Sequence, residues 1–121
     1  MSKVYNWDEV FRLYKRDGVN MRVISGDNIM LVLNELDSRA TPSLHKHGHE
    51  QMTYILTGEC DFVIGDEVLK LKAGDVVPIK PNVEHSLKVT SKEPVLNLDV
   101  FYPVRQDFLD YINKTERESA E

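Results

Sequence analysis

The sequence predicts an all-β domain in which short antiparallel strands close into a small barrel. Three observations lead there. Short runs of apolar, strand-forming residues recur from Met21 to Tyr102. Gly and Pro turns punctuate them at regular spacing, the pattern of a sandwich or barrel. A chain of 121 residues, 41% of them hydrophobic, is also large enough to bury a core without disulfides or a structural metal.

The elements follow in order. Asn6-Trp7-Asp8-Glu9 reads as the start of a short N-terminal helix. Asn6 can cap it, and Glu9 stands at the reciprocal capping position. Val10, Phe11, Leu13 and Tyr14 supply its apolar side, a packing stripe, and Asp17-Gly18 ends it. Strand patterning then begins. Val23-Ile24-Ser25 precedes the turn Gly26-Asp27-Asn28, and Ile29 to Leu36 is a mostly apolar strand. Thr41-Pro42-Ser43 breaks the chain before a histidine-rich segment. Tyr54-Ile55-Leu56 leads into the turn Thr57-Gly58-Glu59. Phe62-Val63-Ile64, Gly65-Asp66 and Glu67 to Lys72 read as a hairpin with a tight turn. Ala73-Gly74-Asp75 turns into the strand Val76-Val77-Pro78-Ile79, and Pro81 to Glu84 is a loop. His85 to Val89 and Val95 to Tyr102 are the last strands. Phe108 to Ile112 reads as one or two amphipathic helical turns. Residues 113–121 are polar and charged, the composition of a flexible tail. Without an internal repeat or linker, residues 1–112 read as one domain.

Bulk properties exclude several functions. Charged residues make up 29% of the chain and the formal net charge is -5, which argues against nucleic acid as the main partner. No stretch reaches the roughly 20 apolar residues that span a bilayer, so no membrane partner is expected. Cys60 is the one cysteine and reads as a small buried hydrophobe in a reducing compartment. Met1 to Trp7 holds no apolar run of the signal-peptide kind. The expectation is a cytoplasmic protein.

The distinctive segment is His45-Lys46-His47-Gly48-His49-Glu50-Gln51. On a strand, His45 and His47 project to the same side, where two imidazoles can share one metal ion. Gln51 has the same parity, and Gly48 permits a kink that brings its amide oxygen round. A fourth ligand must come from afar, and His85 opens a strand after a proline-containing loop. His49 either lines the cavity or is a bystander, facing solvent or hydrogen-bonded at the kink. Three imidazoles and an amide oxygen suit Zn, Ni, Mn or Fe(II).

These residues resemble the cupin family. His-x-His, Gln51 and Gly58 are similar to its first motif, and Gly74-Asp75 through His85 to its second. The resemblance implies a double-stranded jelly-roll barrel, one divalent metal ion on inward histidines, and a homodimer. The usual glutamate of the first motif is Gln51 here. A neutral ligand leaves the ion more positive and favours a Lewis-acid role.

The last strand adds a candidate chemistry. Asn97, Asp99 and Phe101 share one parity; Leu98, Val100 and Tyr102 share the other. With the first face inward, Asp99 is a carboxylate beside the cavity, Phe101 an apolar wall, and Arg105 a residue of the mouth. The alternative is that Asp99 caps a turn and Arg105 pairs with Asp107 on the surface. His45 to Gly58, taken with Asp99 to Leu109, is similar to the pectin-degradation cupins, which linearise 4,5-unsaturated uronates. That resemblance implies metal ligands at His45, His47, Gln51 and His85, a catalytic Asp99, and substrate contacts from Phe101 and Arg105. It implies a small anionic sugar as the partner. Two other classes stay open. One is a non-catalytic module holding a metal or small anion. The other is an Fe(II)-dependent oxygenase or another sugar-acid isomerase.

Overall fold

A computed structural model describes residues 2–120. Nine strands and one long helix follow one another in the order β1 (Leu13–Arg16), β2 (Val19–Ser25), β3 (Met30–Leu36), β4 (Glu50–Thr57), β5 (Glu59–Ile64), β6 (Glu67–Lys72), β7 (Val76–Ile79), β8 (His85–Val89), β9 (Val95–Tyr102) and α1 (Gln106–Ala120). The strands form a six-stranded sheet, β1-β2-β3-β9-β4-β7, and a three-stranded sheet, β6-β5-β8. All the pairings are antiparallel. This is the expected all-β jelly roll.

Alternation along the strands decides what faces inward. On β4 the buried residues are Gln51, Thr53 and Ile55; on β9 they are Val95, Asn97, Asp99 and Phe101. Register pairs Gln51 with Phe101, Thr53 with Asp99, and Ile55 with Asn97. One end of this inner surface is therefore apolar and the other polar. Ile55 and Val95 join Cys60, Phe62, Leu71, Val77 and Ile79 in a core to which both sheets contribute. A second cluster, Leu13, Met21, Met30, Val32 and Phe101, is covered by Phe108, Leu109 and Ile112 of α1. Cys60 is buried, and burial pushes its thiol up to about 11, so it behaves as a small hydrophobe.

Two expectations at the ends are corrected. The N-terminal helix is only a 3₁₀ turn, Trp7–Glu9, which Asn6 caps through a 2.9 Å bond from the Asp8 N–H. Leu13 to Arg16 is strand, because Asp17-Gly18 closes a β-hairpin with β2 rather than a helix. At the other end, α1 continues to Ala120, well past the expected turns over Phe108–Ile112. Its first turns are anchored on the second cluster. Beyond Ile112, the exposed helix formers Lys114, Glu116, Arg117 and Glu118 propagate it.

Gly58, which ends β4, has φ +81°, and a Cβ there would lie 2.9 Å from the Pro94 carbonyl oxygen. A Cβ on Gly48 meets nothing within 4 Å. Gly58→Ala is expected to cost about 1–3 kcal/mol, and Gly48→Ala to stay within about 0.5 kcal/mol of wild type. Thermal unfolding of the two variants checks this. Equal midpoints would show that β4 does not depend on the left-handed turn.

Candidate metal centre and cavity

His45, His47 and His85 converge although only His85 lies within a regular strand. His45 makes a single bridge with His85, through N–H···O bonds of 3.1 and 2.9 Å. The segment between His45 and β4 is irregular and bends at Gly48–His49, so the parity expected of a continuous strand is not what aligns the rings. The loop before β8 holds the segment instead: the Asn82 N–H donates to the His47 carbonyl at 2.7 Å. Asn82 has φ 65°, a left-handed conformation that asparagine tolerates. One ring nitrogen from each of the three histidines lies within 4.8 Å of the others.

Backbone carbonyls fix which nitrogens are free. The Nδ1 atoms of His45, His47 and His85 lie 2.7, 3.1 and 2.9 Å from the carbonyl oxygens of Ser43, His49 and Val83. A carbonyl only accepts, so each Nδ1 carries the proton and each Nε2 offers a lone pair. The His85 Nε2 is buried and has no partner among the described residues. The His47 Nε2 faces the Gln51 Oε1 at 2.9 Å. At that distance the two atoms can share one ion. Burial lowers the pKa of His47, and burial above all lowers that of His85 to about 4, which keeps both neutral. The donors present thus fit one divalent ion, with carbonyls orienting the imidazoles from behind.

Gln51 is oriented by the same logic. Its Nε2 donates to Thr53 Oγ1 at 3.0 Å, and Thr53 Oγ1 donates to Asp99 Oδ1 at 2.7 Å. Asp99 also accepts from Asn97 Nδ2 at 2.9 Å and from Asn34 Nδ2 at 2.9 Å. Burial raises the Asp99 pKa, while the bonds from Thr53 and Asn97 pull it down. Asp99 does not cap a turn: it is a buried carboxylate in the cavity wall.

The cavity has a volume of about 600 Å³ and is lined by His45, Gln51, His85, Asp99, Phe101 and Arg105 among others. Phe101 lies edge-on to His47 with ring centroids 5.5 Å apart. The Arg105 guanidinium sits 4.0 Å above the Phe108 ring and 5.1 Å from that of Phe101. Asp107 holds it through bonds of 3.0 and 2.8 Å, and the Arg105 side chain is only 11% exposed. The expected alternative is thus half present: Arg105 pairs with Asp107, but at the cavity mouth rather than out on the surface. His49 packs against Phe101 and His47, and its carbonyl serves His47. Sequence reasoning missed Thr53 and Asn34, whose inward parity was the available signal. It also missed Lys15 and Arg16, which line the cavity from β1.

Residues 32–101 match the family described as the cupin domain. The chain is 32% identical over 105 residues to the pectin degradation protein KdgF of Dickeya dadantii, covering 85% of this chain and 90% of that protein. The structure resembles a solved RmlC-like cupin from Shewanella frigidimarina, with a TM-score of 0.80 and 24% identity over 89% of this chain and 96% of that one. It resembles KdgF from Halomonas sp. to the same TM-score of 0.80, with 21% identity over 88% and 99% of the two chains.

His85→Ala is expected to abolish tight binding of one zinc ion per chain. Thr53→Val, which removes the hydroxyl orienting Gln51, should weaken binding about 10–100-fold. Competition against a chromophoric chelator measures both. Wild-type affinity in Thr53→Val would remove the orienting role. The lowered His47 and His85 pKa values place their competition with protons below the ordinary histidine range.

Proposed function

The chain belongs to the cupin domain family, and from that premise we propose that it opens the ring of 4,5-unsaturated uronate monosaccharides to linear 5-keto-4-deoxyuronate in pectin or alginate breakdown. The observation that carries this reading is the convergence of Asp99, Phe101 and Arg105 with the histidine cluster in one cavity. The 32% identity to a pectin degradation protein supports the same substrate class. A cytoplasmic setting suits the lone, buried thiol of Cys60.

The substrate is a cyclic enol ether with a carboxylate at C5 and a hemiacetal at C1. A divalent ion on His45, His47, Gln51 and His85 would polarise and anchor its oxygens as a Lewis acid. The remaining work falls to the chain. Arg105 keeps free the guanidinium edge that Asp107 does not use, and that edge receives the carboxylate by paired hydrogen bonds. Phe101 packs on the sugar ring. Asp99 takes the proton of the hemiacetal hydroxyl as the bond from C1 to the ring oxygen breaks, and a proton returns to C4. The ring oxygen becomes the keto oxygen at C5 and C1 becomes an aldehyde. The atoms balance with no water and no oxidant, so oxygen is not consumed. Three donors hold Asp99 in place, which keeps it ready to act at one position.

A homodimer is part of the proposal. The outer face of the large sheet is apolar: Met52, Tyr54 and Leu56 on β4, Val76 on β7 and Tyr102 on β9 are exposed. Leu98 and Val100 lie between them, paired with Tyr54 and Met52. A second copy of the same face, related by a two-fold axis, covers this surface.

Conversion is followed by loss of absorbance of the conjugated double bond in unsaturated galacturonate. Asp99→Ala should lower the rate about 10²–10⁴-fold. A wild-type rate equal to the spontaneous one, or equal to that of Asp99→Ala, contradicts the reading. Met52→Glu with Tyr54→Glu should yield a monomer by light scattering, with wild type a dimer. A monomeric wild type removes the dimer.

A further inference from the structure

The first strand carries an irregularity that bears on the cavity. Leu13 pairs with Met21 and Tyr14 with Asn20, but Arg16 pairs with Val19, so Lys15 is an extra residue in β1. In a regular strand, neighbours point to opposite faces, and Lys15 and Arg16 would diverge. A bulge resets that alternation and re-aims a side chain. Both residues accordingly line the same cavity. The Asp17-Gly18 turn fixes the bulge in place: Gly18 has φ +79°, and a Cβ there would lie 2.5 Å from the Ala40 nitrogen.

Among the described residues, neither Lys15 nor Arg16 forms an ion pair. Arg16 donates one bond from Nη2 to the Thr41 carbonyl at 3.3 Å, while its buried Nε has no partner. Lys15 Nζ lies 5.2 Å from the centroid of the Phe108 ring, the ring on which Arg105 also stacks. Arg105 differs from both, because Asp107 already balances its charge. A chain with a formal net charge of -5 thus presents at its cavity two cations that have no direct ion-pair partner among the described residues. A buried guanidinium N–H without an acceptor is costly unless a ligand supplies one.

We propose that Lys15 and Arg16, set side by side by the bulge in β1, form an anion-binding rim that captures the carboxylate of a small organic acid entering the cavity. The inference rests on reading the cavity as the site for a sugar acid, and it names the residues that select acid over neutral sugar. Arg105 then serves the carboxylate deeper in the cavity, next to Phe101. The pair also draws anions toward the mouth against the overall negative charge of the chain.

The test uses the full chain, metal-free, titrated by NMR with galacturonate and with its neutral methyl ester at low salt. Wild type should bind the acid at least about tenfold more tightly than the ester, the effect of charge-assisted hydrogen bonds to one carboxylate. Lys15→Gln with Arg16→Gln should cut the preference severalfold, leaving the part that Arg105 supplies, and Arg16→Lys should keep most of it. Lys15→Glu, a change at an exposed strand residue, gives the same reading should the double variant unfold. A preference undiminished by these neutral and reversed substitutions, or a wild type that binds ester and acid alike, overturns the proposal. Acid preference dependent on Lys15 and Arg16 without turnover of unsaturated uronates would sink the ring-opening reading alone. Turnover with a preference indifferent to these residues would sink the rim alone.

Discussion

The site depends on one chain of buried hydrogen bonds. Asn34 and Asn97 donate to Asp99, Thr53 donates to Asp99, and Gln51 donates to Thr53. Each donor is committed to a single acceptor, and that leaves the Gln51 oxygen pointing at the His47 Nε2. Buried polar groups persist only when satisfied, so the chain orders its members together. Its far end is a carboxylate and its near end is the Gln51 amide oxygen that faces the histidine cluster. The two chemical functions of the cavity are thereby tied to one another.

Sheet geometry makes that chain possible. Cross-strand register sets Thr53 opposite Asp99, and Asn34 opposite Asn97. These residues lie on β3, β9 and β4, which are adjacent in the large sheet. The same alternation that turns them inward turns Met52, Tyr54, Leu98 and Val100 outward. A one-residue slip would exchange the two faces, and each register is pinned at its turn or bulge. The bulge in β1 is the complementary device. It breaks alternation where two neighbouring cations have to share a cavity.

Much of the fold was legible in the sequence. The strands Val76–Ile79, His85–Val89 and Val95–Tyr102 fall where the strand-forming runs and turn residues put them; in the first and last, every second residue is buried. The terminal segments were misread for local reasons. Asp17-Gly18 serves equally as a helix stop or a two-residue hairpin, and only the pairing of Leu13 with Met21 decides for the hairpin. That misreading hid Lys15 and Arg16 from the cavity. The apolar pattern of α1 stops at Ile112 because the core beneath it ends there, although the helix does not. In the cavity, spacing pointed to the histidines and Gln51, and parity offered an inward Asn97, Asp99 and Phe101 as one of two alternatives. It gave no sign of Thr53 as the link between Gln51 and Asp99, since the sequence carries no record of the β4–β9 register.

Asp99 and the histidine cluster form a single proton-moving cavity in this account, and the most direct measurement is the stereochemistry of the proton delivered. Ring opening run in D₂O and read early by NMR should give product with deuterium on one face of C4, because a carboxylate fixed by Asn34, Asn97 and Thr53 delivers from one side. Equal deuteration of both faces, matching the spontaneous reaction, would contradict it.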